Sequence, residues 1–187
     1  MIRVGDEIPD IEIDAFVDWD FKKINLKDTR GKWLVLAFYP ADFTFVCPTE
    51  LEELADLYPE FQKEGAEIMS ISTDTKFTHM AWHESSPAIG KVKYPMLADQ
   101  AGNMCREFGT FDEKDGLSLR ATFIIDPEGI VISMHIHAEP IGRSAAEILR
   151  QLRAARHVYE HPGEVCPASW KPGDETLKPG PDLVGKI

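Results

Sequence analysis

Apolar and acidic residues alternate through Ile11, Ile13 and Ala15, and a second short segment, Phe21 to Leu26, follows across Val17-Asp18-Trp19-Asp20. Alternation on either side of a polar turn predicts an N-terminal β-hairpin. The run WLVLAFY, Trp33 to Tyr39, is apolar without interruption, as in a central strand covered on both faces. After Cys47 the apolar side chains fall at Leu51, Leu54, Ala55, Tyr58 and Phe61, which is helical spacing. Ala66 to Ser72 predicts another strand, Phe77 to Ala88 a helix, Tyr94 to Leu97 a short strand and Gly102 to Phe108 a short helix. Two apolar runs around Pro127 and Gly129 predict a hairpin. Ser144 with Glu147 forms an S-x-x-E capping box that opens a helix through about Val158.

This order, β-α-β followed by an antiparallel hairpin and a last helix, suits an α/β protein with a mixed central sheet flanked by helices, as in thioredoxin-like folds. Residues 1–160 are expected as one domain. From Pro162 onward helical periodicity stops and prolines recur at 162, 167, 172, 179 and 181. Residues 161–187 are therefore expected as a tail that wraps over something or moves.

A chain of 187 residues, 43% hydrophobic, can bury a proper core. Its net charge of −12 argues against nucleic acid as a partner and against anionic lipid surfaces. The N-terminus lacks an export pattern, no run is long enough to span a bilayer, and three cysteines do not make a secreted disulfide framework. The expected compartment is the cytoplasm.

The chemistry centres on AFYPADFTFVCPTEL, Ala37 to Leu51. Pro48 suits the first helical position, which makes Cys47 the N-cap, facing the free N–H groups and the positive end of the helix dipole. That setting favours the nucleophilic thiolate. A free cysteine is also among the most buried residue types, so a small hydrophobe is the competing reading. A CxxC partner is missing, since position 50 is Glu.

The spacing of Pro40, Thr44 and Cys47 resembles the P-x-x-x-T-x-x-C motif of the peroxiredoxins, and the stretch is most similar to the typical 2-Cys branch. HPGEVCPASW, His161 to Trp170, resembles that branch's resolving-cysteine segment. STDTKFTHMAWH, ATFIIDPEGI and the closing DLVGKI match as well, and the likeness runs over nearly the whole chain. Within the branch it is nearest to the bacterial alkyl hydroperoxide reductase C group.

The resemblance implies a thiol peroxidase for hydrogen peroxide and organic hydroperoxides. Cys47 would be the peroxidatic cysteine and Cys166 the resolving one, joined between subunits in a disulfide after local unfolding. Thr44 would hydrogen-bond peroxide or thiolate, and Pro40 would shield the sulfur. Arg120 matches the arginine that favours the thiolate and polarises the peroxide, while Glu50 and Arg143 match residues that hold this arginine. No metal or cofactor is expected. Electrons would come from a flavoprotein disulfide reductase of the F-subunit type or from thioredoxin. The assembly implied is a homodimer building a decamer, with Thr78 near the ring interface. Eukaryotic members prone to overoxidation carry a Gly-Gly-Leu-Gly loop and a Tyr-Phe C-terminal helix; neither is matched here, which implies relative resistance to hyperoxidation. The segment FDEKDGLSLR reads as a few residues shorter than in close relatives.

Cys105 is read as a packed thiol. His79 and His83, four apart in a predicted helix, have a spacing that can hold a metal but lack a third ligand, so packing is preferred. His135 and His137 share a strand face, and Trp82 and Trp170 read as core or interface anchors. The rival functions are a protein thiol-disulfide oxidoreductase, which would want a CxxC pair, a chaperone or peroxide-sensing partner, and a cysteine hydrolase, which would want a histidine beside Cys47.

Overall fold

The computed structural model describes residues 1–186; Ile187, the last residue of the DLVGKI match, lies outside the described residues. The chain divides into two compact units, residues 1–145 and 146–187.

The first unit is built on strands β1 (Glu12–Val17), β2 (Asp20–Asn25), β3 (Trp33–Phe38), β4 (Ala66–Ser72), β5 (Met96–Ala98), β6 (Phe111–Asp112), β7 (Leu117–Ser118), β8 (Arg120–Ile125) and β9 (Val131–His137). Helix α1 (Cys47–Lys63) links β3 to β4, α2 (Lys76–Ser85) precedes β5, and α3 (Asn103–Glu107) follows it. Seven strands form one sheet in the order β2-β1-β5-β4-β3-β8-β9, parallel through β3, β4 and β5 and antiparallel elsewhere. This is the mixed, helix-flanked, thioredoxin-like sheet that the sequence pattern implies.

Every residue of β3 is buried. Leu34, Leu36 and Phe38 enter the core cluster together with Met69, Ile71 and Phe123. Phe38, Phe108 and Phe123 pack as an aromatic triplet with ring centroids 5.0–5.6 Å apart. The first hairpin turns through Asp18 and Trp19, both at positive φ, the backbone that a two-residue connection requires to match strand twist.

β5 begins at Met96 and not Tyr94, α3 spans Asn103–Glu107 within the expected 102–108, and two further boundaries differ for local reasons. Helix α2 stops at Ser85 because Ser86 precedes Pro87 and is extended, the conformation proline imposes on its predecessor. Helix α1 begins at Cys47, with Val46 as its N-cap, so Cys47 is the first helical residue and not the cap. Val46 already has helical dihedrals, and its carbonyl accepts from the backbone N–H groups of Thr49 and Glu50. The β6–β7 pair has no counterpart in the sequence pattern, since two residues per strand are too few to show a period.

The second unit holds most of α4 (Ala145–Glu160) and the proline-rich segment. That segment has one element of sheet pairing, in which Val165 and Leu177 exchange backbone hydrogen bonds of 2.9 and 3.0 Å. The loop they close contains Cys166 and Trp170. A 3-10 turn, Pro181–Leu183, follows.

Candidate active site

At the end of β3 the Tyr39 N–H still donates to Ile71 O at 2.9 Å, and the buried Pro40 then ends the ladder because it has no N–H to offer. A short loop leads to Cys47. The buried positions of α1 are Cys47, Glu50, Leu51, Leu54 and Phe61. Helical periodicity thus puts one thiol and one carboxylate on the same face as the core leucines. The Cys47 sulfur has no solvent exposure, and Glu50 is 3% exposed.

A carboxylate buried in this way needs partners, and two arginines supply them. Arg120, the first residue of β8, directs Nη1 to Glu50 Oε2 at 2.8 Å and to Cys47 Sγ at 3.3 Å. Its Nε donates to the Glu139 carbonyl. Arg143 donates to Glu50 from its backbone N, Nε and Nη2, and its Nη1 is held by Ala121 O and Thr122 Oγ1. Gly142 permits this approach, since a Cβ there would crowd Val46 Cγ1 at 3.3 Å.

Burial alone would raise the Glu50 pKa, but Arg143 and then Arg120 outweigh it and hold the carboxyl below its ordinary range. Burial likewise works against the Arg120 charge, and Cys47 followed by Glu50 more than restores it, so its pKa is raised. Two guanidinium cations and one carboxylate leave one buried positive charge uncompensated. Arg120 Nη1 directs that charge at the Cys47 sulfur, 3.3 Å away.

Thr44 Oγ1 donates to Ala41 O at 2.8 Å, so its hydroxyl proton is held within the loop. Phe43 and Phe45 are 57% and 92% exposed, and Phe43 has a φ of 56°, a strained backbone for an aromatic residue. Below the loop lies a buried network that nothing in residue spacing singles out. Asp42 accepts from Tyr39 OH at 2.7 Å and faces His79 Nδ1 at 2.8 Å, while His79 Nε2 donates to Leu97 O. Asp42 N–H in turn donates to Asp74 Oδ2. Burial raises the Asp42 pKa. The acidic residue in YPAD, directly after a wholly apolar strand, was the available signal for this network.

The other candidates separate by environment. His83 turns Nε2 to Val92 O, and Trp82 packs its ring between Tyr39 and Phe43, as a core anchor would. His135 Nε2 meets Ser133 Oγ on the same face of β9. Cys105 is fully buried; burial, then Asp99, pushes its thiol up to about 12. Among the described residues no group of three or more His, Cys, Asp or Glu could hold a metal ion, and no helix is long and apolar enough to cross a membrane. In the second unit the half-buried Cys166 directs its thiol to Ala154 O at 3.7 Å, and burial, then Glu164, raises its pKa. Trp170, 4% exposed, donates from Nε1 to Asp174 O.

Residues 4–134 match the family model described as the AhpC/TSA family, and residues 154–186, which include Cys166, match the C-terminal domain of 1-Cys peroxiredoxin. Alkyl hydroperoxide reductase C of Salmonella typhimurium (strain LT2) is 51% identical over 187 residues, covering 100% of both chains. That alignment leaves no shortening of residues 111–120, which corrects the expectation of a shorter segment there. Among solved structures, Enterococcus faecalis AhpC is similar with a TM-score of 0.86 at 44% identity, covering 89% of this chain and 100% of that one. Reduced Plasmodium vivax 2-Cys peroxiredoxin gives a TM-score of 0.91 at 36% identity, covering 96% and 94% of the two chains. With a buried cysteine at the start of a helix, an arginine on its sulfur and full-length relatives of one kind, this chain belongs to the AhpC/TSA family of peroxiredoxins.

Proposed function

We infer that this peroxiredoxin reduces hydrogen peroxide and small organic hydroperoxides through Cys47. The observation that carries the reading is the Arg120 Nη1–Cys47 Sγ approach of 3.3 Å inside a water-excluded site. The thiolate attacks the terminal peroxide oxygen; an S–O bond forms as the O–O bond breaks. The electron pair leaves on the alkoxide or hydroxide, which takes up a proton from solvent. Arg120 stabilises the charge developing on that oxygen without reorganising, because Glu50 and Glu139 O already hold it in place. Thr44 exchanges its bond to Ala41 O for one to the bound peroxide, and Pro40 keeps water from the sulfur.

The product is a sulfenic acid. Cys166 of a partner subunit then condenses with it, forming the S–S bond and releasing water. Because Cys47 is buried in the first turn of α1, that turn must unwind first. A dithiol reductant restores both cysteines and is itself oxidised to a disulfide. A flavoprotein disulfide reductase or thioredoxin has that chemistry. The assembly proposed is a homodimer forming a decamer, with Thr78 and the exposed Phe77 beside it at the ring contact. The cytoplasm, which keeps thiols reduced, is the proposed setting.

The test is a non-reducing gel with intact mass after one equivalent of hydrogen peroxide, on wild type, Cys47→Ser and Cys166→Ser. A dimer-sized band in wild type alone, with sulfenic acid trapped at Cys47 in Cys166→Ser, is expected. A crosslink that survives in Cys166→Ser, or one through Cys105, overturns the assignment.

A further inference from the structure

We propose that His157 is a positioning residue for Cys166, a pH-responsive clasp that holds the Cys166 loop on α4 and governs its release for disulfide formation. The proposal rests on the reading of Cys166 as the resolving thiol. His157 lies in the last turn of α4, and its Nε2 donates to Glu164 Oε2 at 3.1 Å, with the two side chains 24% and 22% exposed. Its ring lies 4.8 Å from that of Trp170 and stacks on His161 at 4.2 Å. Glu164 also accepts from Thr176 Oγ1 at 2.7 Å, and the Val165–Leu177 pairing follows directly in both strands of the loop. One imidazole therefore touches both the neck of the loop, at Glu164, and its centre, at Trp170.

Two other attachments of the loop to α4 do not titrate near neutrality. Arg150 Nη1 donates to Trp170 O, and the Cys166 thiol donates to Ala154 O. Imidazole is the side chain whose charge ordinarily changes between about pH 5 and 8. Charged or titratable groups facing His157 include Glu164 and His161, with Lys178 acting on Glu164. Thr176 and then His157 hold the Glu164 carboxyl below its ordinary range, so it stays anionic throughout. His161 Nδ1 donates to His157 O and its ring stacks on His157, while it is His157 Nε2 that meets the Glu164 carboxylate. A charged His157 makes the bond to Glu164 charge-assisted and favours the closed loop. The sign follows: closure is favoured on the acid side and relaxes as pH rises through the imidazole range. While closed, the Cys166 sulfur is engaged with α4 and is not free to meet a sulfenic acid.

The experiment follows Cys47–Cys166 disulfide formation by quenched flow and intact mass, after one equivalent of hydrogen peroxide, from about pH 6 to 8. Wild type, His157→Gln, Glu164→Gln and His161→Asn are compared as full chains. The variant-to-wild-type rate ratio for His157→Gln and Glu164→Gln should rise toward acid pH by about two- to five-fold, the range an exposed charged pair supports. His161→Asn should keep the wild-type profile. A ratio independent of pH overturns the proposal and leaves His157 a packing residue. Independently of the chemistry, amide exchange at Val165 and Leu177 in the reduced protein, corrected for intrinsic pH dependence, should slow toward acid in wild type and not in Glu164→Gln. Equal protection in the two overturns the clasp. Absence of any Cys47–Cys166 disulfide in wild type rejects the resolving role, and the exchange measurement still decides the clasp.

Discussion

Glu50 takes three hydrogen bonds from Arg143, from its backbone N and Nε at 2.8 Å and from Nη2 at 2.9 Å, so one arginine both satisfies and orients the carboxylate that steadies Arg120. Removing one member of a buried ion pair strands the other. Arg143→Ala should destabilise the fold by about 3–5 kcal/mol, read as a lower urea midpoint at unchanged slope. A loss within the range of surface substitutions would show that the pair has little structural weight.

The same pair sets an acid limit. The Glu50 carboxyl is held below its ordinary value of 4.5 in the folded protein, so its contribution is fully present above that value. It is lost as pH falls through the lower folded value. Glu50→Gln should therefore be less stable than wild type at neutral pH, and the gap should narrow steadily below about pH 4.5. A gap that stays constant into acid would contradict this.

Arg120→Gln keeps a donor near the sulfur but removes the fixed charge. Cys47 oxidation by hydrogen peroxide, followed by stopped flow, should slow by about a hundredfold or more, the loss typical of one preorganised donor. Arg120→Lys should recover only part of it, because one ammonium does not reach Cys47, Glu50 and Glu139 O in the same fork geometry. Full activity in Arg120→Lys would mean that charge alone is sufficient.

Cys105, fully buried with its thiol pushed up to about 12, should resist alkylation in the native reduced protein at pH 8 while the half-buried Cys166 is modified. Peroxide turnover by Cys105→Ser should match wild type. Rapid native labelling of Cys105 by mass spectrometry would refute its assignment as a packed thiol.

The proposed resolution by Cys166 competes with a second peroxide for the Cys47 sulfenic acid. Wild type under turnover should accumulate little sulfinic acid on Cys47, and Cys166→Ser should accumulate it readily. Equal accumulation in both would remove resolution as the protective step.

All the described strands except β6 and β7, the four α-helices and the reactive stretch are legible in the sequence, because these are written in near neighbours. Seven uninterrupted apolar residues make β3 a central strand, proline ends it, and Pro40, Thr44 and Cys47 fall within eight positions. Helix α1 starts one residue earlier than the position of Pro48 implies, because Val46 adopts helical dihedrals that its identity does not announce. Asp42 and His79, 37 residues apart, showed their partnership only once the sheet brought them together. What surrounds the sulfur depends on long-range packing. Arg120 is 73 residues from Cys47, and Arg143 is 93 residues from Glu50. Strand register connects them: Ala121 pairs with Phe38 across the β3–β8 ladder, which leaves Arg120 just past the point where the chain departs toward Cys47. A one-residue slip would turn that guanidinium to the other face of the sheet, and local pattern does not encode the pairing that prevents it.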